Sequence, residues 1–136
     1  MIATAAEFVR LRTSSDPSEY GRAAHEEAPD SVWFELIRDF PEMRMWVALN
    51  KTVPLSVLEV LSRDSSASVR FAVAGKRKLT TALRKMLAQD SDAGVRARVA
   101  CNAKCEREIL EALAEDQEVT VRTAAADKLK GRSDAL

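Results

Sequence analysis

Asp39 and Arg44, Asp64 and Arg70, Asp90 and Arg96, and Asp116 and Arg122 form a file of charged pairs along the chain, the last three repeating every 26 residues (90 − 64 = 116 − 90). Carboxylates and guanidiniums at a fixed period make either a charged track for a ligand or an ion-pair ladder inside the fold. The Arg follows the first apolar residue of a short periodic segment (Val69-Arg70, Val95-Arg96, Val121-Arg122). That position lies near a helix–helix seam, where a guanidinium bonds an Asp or the carbonyls of its own or a neighbouring turn. Partly buried pairs of this kind specify geometry more reliably than they add stability. The columns Asp39, Asp64, Asp90, Asp116 and Arg44, Arg70, Arg96, Arg122 are therefore read as a structural ladder.

Other chemistry-bearing residues are sparse. Cys101 and Cys105 are four apart, and a metal or redox role for them needs further ligands. His25 lies far upstream beside Glu26 and Glu27, so a zinc site is not expected and His25 reads as a surface residue. No Ser/His/Asp arrangement, Gly-rich phosphate loop or paired carboxylate is placed for catalysis, and no enzymatic activity is expected. Residues 63–107 hold eleven Lys/Arg, including the Lys76-Arg77-Lys78 cluster, against four acids. A local excess of +7 (11 − 4) suits a phosphate backbone, although no aromatic is interleaved with the cluster for base stacking. Over the whole chain 21 Lys+Arg balance 21 Asp+Glu, so the overall field favours neither nucleic acid nor an anionic membrane.

The elements that position these residues follow from the same period. Leu61, Leu87 and Leu113 form one apolar column, Val73, Val99 and Ala125 another, and Ala48, Ala74, Ala100 and Ala126 a column of small residues. Upstream the register continues at 25 (Val32 with Val57, Leu36 with Leu61), with one residue missing from the turn at Phe40-Pro41. A degenerate first unit places helices at Ala5 to Leu11 and Pro17 to Glu26. Each unit carries two segments with apolar residues three and four apart, as Leu55, Leu58 and Leu61, then Val69 and Val73, which is helical spacing. Pro54 suits a first helical position, and Ser66, Asp92 and Glu118 stand where second helices begin. Helices this short are unstable alone and gain stability by stacking. The alanine column marks a close approach between second helices, which larger side chains would overpack.

The run Leu-x-x-Asp-x-x-x-x-Val-Arg-x-x-Val-Ala-x-Asn, present from Leu87 to Asn102 and with Lys for Asn from Leu61 to Lys76, resembles the leucine-rich repeat variant family, a HEAT-like group. The resemblance covers about three quarters of the chain. It implies an all-α, right-handed α-α superhelix of the HEAT/ARM type, with about five two-helix repeats of 25–26 residues, in which one helix of a pair can be a short 3₁₀ segment. The family usually opens each first helix with Thr-Pro. Here those positions are Val53-Pro54, Leu79-Thr80 and Cys105-Glu106, and a thiol in the helix-capping place of Cys105 is one whose pKa can fall. Some relatives hold an iron–sulfur cluster on N-terminal cysteines. This chain has none before Cys101, so no cofactor is implied.

Residues 1–131 then form a single helical-repeat domain, its last unit 105–131, followed by a polar tail at 132–136. There is no signal peptide and no apolar run of membrane-spanning length, so a cytoplasmic protein with no membrane partner is expected. At 100° per residue Val69, Val73 and Ala74 face inward, and Phe71, Gly75 and Lys78 face outward. Across units the outward columns read Met45, Phe71, Ala97, Thr123, then Leu49, Gly75, Cys101, Asp127, then Thr52, Lys78, Lys104. Met45, Leu49 and Phe71, with Trp46 and Arg98 at the edge, make an apolar patch that is either a partner site or core belonging to irregular units. The expectation is a non-catalytic protein-binding or scaffolding module using Met45, Trp46, Leu49, Phe71, Lys78, Arg98 and Lys104. The alternative is a nucleic-acid binder using the basic middle units. Partner identity and oligomeric state are open.

Overall fold

The structure is a computed structural model and describes residues 1–134. Ten α-helices and one 3₁₀ turn, with no strand, account for the regular structure among the described residues. The chain divides into two compact units, Met1–Arg63 and Asp64–Leu136. Among the described residues no helix is long and apolar enough to cross a membrane.

The first unit contains α1 (Ala5–Thr13), α2 (Pro17–His25), α3 (Asp30–Asp39), a 3₁₀ turn at Pro41–Met43, α4 (Arg44–Leu49) and α5 (Leu55–Leu61). Thr4 Oγ1 accepts from the Glu7 N–H at 3.1 Å and Asp16 from the Ser18 N–H at 2.9 Å, satisfying free donors at the starts of α1 and α2. The missing residue at Phe40-Pro41 shortens the turn, and the 3₁₀ segment takes up that shortening before α4 begins. Pro54 occupies the N-cap of α5 instead of its first helical position, its carbonyl accepting from Val57 and Leu58. The core is built on Phe8, Leu11, Trp33, Leu36, Leu58 and Leu61, all fully buried, with Phe8 and Trp33 edge to face at 5.6 Å.

The second unit contains α6 (Ala67–Ala74), α7 (Thr81–Leu87), α8 (Ala93–Cys101), α9 (Arg107–Leu113) and α10 (Val119–Asp134). Second helices pack in sequence, α6 on α8 and α8 on α10. Leu87, Leu110, Val73, Val95, Val99 and Val121 fill the interior. Asp92 caps α8 through its side chain at 3.1 Å, whereas Ser66 makes no side-chain cap bond to α6 and Glu118 offers α10 only its carbonyl. Ala74 and Ala100 are fully buried. Ala126 departs from the close approach expected of its column: it is exposed, because no further helix among the described residues covers that face of α10. α10 runs through Gly131 to Asp134. Of the tail 132–136, residues 135 and 136 lie outside the described residues.

One device recurs in both units. In the first, Asn50 Nδ2 donates to the carbonyls of Ala23 (2.8 Å) and Glu26 (3.1 Å), and its Oδ1 accepts from the Thr52 N–H at 2.8 Å. In the second, Asn102 does the same to Ala74 (3.0 Å) and Lys76 (2.8 Å), accepting from Lys104 at 2.9 Å. Each asparagine is buried and satisfies carbonyls left free at the C-terminal end of the preceding second helix.

Candidate partner-binding site

The arginines decide where a site is available, and most of those in the second unit are occupied. Arg70 donates from Nη1 to the carbonyl of Asp64 (2.8 Å) and, through Nε and Nη2, to the Asp90 carboxylate (2.8 and 3.1 Å). Arg96 repeats this on the Asp90 carbonyl (2.7 Å) and the Asp116 carboxylate (2.9 and 3.2 Å). Each carboxylate partner therefore comes from the following repeat, and the Asp of the same repeat contributes its carbonyl. The side chains of Arg96 and Asp116 are only 9% and 11% exposed. Burial works against ionised Asp90, but the bonds from Arg70 and the Asp92 N–H prevail and hold its carboxyl below the usual range. Asp116 is lowered chiefly by Arg96.

The remaining members of these columns differ. Arg122 keeps the carbonyl bond, to Asp116 at 2.8 Å, and among the described residues meets no carboxylate. Arg44 donates from Nε to the Ile37 carbonyl at 2.7 Å, and Asp39 is bound by its neighbour Arg38 at 2.9 and 3.0 Å.

A further buried pair, Arg84 with Glu106 at 2.7 Å, joins α7 to the start of α9, with Thr81 also donating to Glu106. The Arg84 bonds, opposed by burial, hold the Glu106 carboxyl down at about 2. Sequence carried a sign of it: Arg84 stands in the column of Leu58 and Leu110 (84 − 26 and 84 + 26), an apolar column interrupted by a charge. Of the eleven cations in residues 63–107, Arg70, Arg84 and Arg96 are thus held in largely buried ion pairs within the second unit, and Arg107 in an exposed one with Glu111 at 3.2 Å.

In the first unit a groove of about 540 Å³ opens between α2 and α4. Tyr20, Ala23 and Ala24 line it from α2, Trp46 and Leu49 from α4, and Arg12 and Ser14 close one end. Tyr20 and Leu49 are 42% and 43% exposed. The Arg12 guanidinium lies over the Trp46 ring, 3.4 Å from its centroid, and its Nε is buried without a hydrogen-bond partner. Tyr20 escaped the sequence reading although it is the outward column of Met45 and Phe71 carried one unit upstream (45 − 25), just as Ala24 precedes Leu49. Arg12 belongs to none of the repeat columns.

The expected patch divides between the units. Trp46 and Leu49 line the groove of the first unit, and Met45 is half-buried there outside the groove lining. Phe71 lies in the second unit, 45% exposed, with the Arg98 guanidinium 5.4 Å from its ring centroid. Gly75 makes room for that guanidinium: a Cβ there would stand 2.7 Å from Arg98 Nη2. Lys78 and Lys104 are exposed. Cys101 is exposed and Cys105 buried. Burial and the neighbouring Glu106 push the Cys105 thiol up to about 11, which corrects the expectation that its capping location lowers the pKa. His25 is exposed, its Nδ1 3.0 Å from the Gly21 carbonyl. Among the described residues no three His, Cys, Asp or Glu side chains are gathered as a metal site requires. In comparisons with known proteins, no family model, curated protein or solved structure matches the chain.

Proposed function

We propose that this chain is a non-catalytic protein-binding module, a HEAT-like helical solenoid of the leucine-rich repeat variant type, that engages a cytoplasmic partner on its second-helix face. The observation that carries the reading is the groove between α2 and α4, where Trp46, Tyr20 and Leu49 leave apolar and aromatic surface open to solvent. Tryptophan, tyrosine and arginine are the residues that most often anchor interfaces, and a contiguous apolar concavity is their usual setting. Paired second helices and a repeating Arg/Asp ladder support the solenoid assignment.

The test is a pull-down with Leu49→Glu and Tyr20→Glu. Both side chains are exposed, so helix content and melting temperature should stay at the parent value while partner capture is lost. Unchanged capture by both variants rules out the groove as the binding face. Phe71→Glu reports separately on the Phe71 and Arg98 surface of the second unit. Nucleic acid is the weaker reading, since Arg70, Arg84 and Arg96 are already neutralised. Affinity for a random duplex that falls steeply with salt would revive it.

A further inference from the structure

We propose that the groove between α2 and α4 receives a peptide segment in which a carboxylate stands beside a large apolar side chain. Arg12 binds the carboxylate, and Tyr20, Trp46 and Leu49 take the apolar group. This inference rests on the protein-binding reading above and adds the chemistry of the partner.

The argument starts from the condition of Arg12. Its guanidinium is stacked on Trp46, and a stacked guanidinium keeps its N–H groups in the ring-parallel plane, free to donate sideways. One of them, Nε, has been removed from water and has gained no acceptor. An atom closed to water is closed to a ligand oxygen as well, so a carboxylate in the groove is bound on the terminal nitrogens of Arg12 and not on Nε. No acidic side chain lines the groove, and Arg12 is the one cation among its lining residues. By contrast Arg70 and Arg96 each already hold a carboxylate through two N–H groups.

The shape agrees with this assignment. Ala23 and Ala24 keep the α2 wall low, and about 540 Å³ is room for an apolar side chain with its flanking backbone. Trp46, held in place by Arg12, is a preorganised aromatic wall that loses little freedom on binding.

The experiment titrates the full chain with three capped pentapeptides while following tryptophan fluorescence and backbone amide shifts. The probes are acetyl-Leu-Glu-Phe-Glu-Leu-amide, its Gln-for-Glu analogue, and a version with Ala in place of Leu and Phe. The acidic apolar peptide should bind at least tenfold more tightly than either analogue, with shifts confined to α2, α4 and the end of α1. In Arg12→Gln the preference for Glu over Gln should vanish. Leu49→Ser, at an exposed position, should weaken both apolar peptides and keep the Glu preference, which covers the case that Arg12→Gln misfolds. Equal binding of the Glu and Gln peptides overturns this inference and leaves the groove as an apolar site. Binding of none of the three at millimolar concentration overturns the inference and the groove assignment together. Tighter binding of decathymidylate than of the acidic peptide, with shifts at Arg12, overturns it in favour of phosphate.

Discussion

Arg70, Arg84 and Arg96 of the second unit each meet a carboxylate on a neighbouring repeat, whereas Arg12 of the first unit lies on the Trp46 ring with no acid lining the space around it. Both units use the same asparagine bonds between successive second helices, through Asn50 and Asn102. The difference is in the charged columns. Carried back at a spacing of 25, the Asp column reaches Ser14 (39 − 25) and the Arg column reaches Glu19 (44 − 25). Ser14 Oγ still accepts from the N–H two residues on, at 3.1 Å, as Asp64, Asp90 and Asp116 do at 2.9 Å. It donates in turn to Glu19, whose other oxygen is held by Arg10. Where the repeat is regular, Arg70, Arg84 and Arg96 are consumed in holding repeats together. Where it degenerates, the turn survives, and an arginine outside the columns is left available to a ligand.

The largest effect that sharpens this contrast is Arg96→Ala. It leaves the Asp116 carboxylate largely buried and unpaired, and should cost about 3 kcal/mol in urea denaturation. Arg122→Ala, at the exposed end of the same column, should change stability by less than about 0.5 kcal/mol. Equal losses from both would break the ladder interpretation. Next in size, Asn102→Ala should cost about 2 kcal/mol by orphaning two carbonyls, and Asn50→Ala should cost less, because Thr52 Oγ1 still donates to the Glu26 carbonyl; a larger loss from Asn50→Ala would break the comparison.

Ala100→Leu should overpack the interior by about 1–3 kcal/mol, while Ala126→Leu, on the exposed copy, should be silent in the same thermal melt. The smallest expected effect is acid sensitivity. Glu106 ionises near 4.5 when unfolded and at about 2 when folded, so the folded state binds fewer protons between those values. Its stabilisation is complete above pH 4.5 and is lost as pH falls toward 2, by about 1 kcal/mol after allowance for solvent screening. Denaturation midpoints at pH 5 and pH 3 should therefore differ less in Glu106→Gln than in the parent chain.

Much of the helical architecture is legible in the residues. Alternating three- and four-residue apolar spacing located the helices to within about two residues at most ends, because each helix buries one stripe and must be periodic to do so. The Arg and Asp columns were visible, but their partners were not. Spacing along one chain does not say whether an arginine turns to its own repeat or the next, and the carboxylates come from the next. The groove was half legible: Trp46 and Leu49 interrupted the columns, Tyr20 continued one that was not followed far enough upstream, and Arg12 gave no periodic sign.

Period and composition by themselves determined that this chain is helical, that its core is aliphatic, and that small residues recur where second helices approach. Those properties follow from local sums, since each repeat presents the same stripe whatever lies beside it. Only the tertiary structure decided which side chains are spent and which are free. It buried Cys105 and raised its pKa, left Ala126 exposed on a face of α10 that no helix among the described residues covers, and laid Arg12 on Trp46 beside an open groove. The physical reason is the same in each case: exposure and electrostatic pairing depend on which neighbour arrives from another repeat, and spacing along one chain does not name that neighbour.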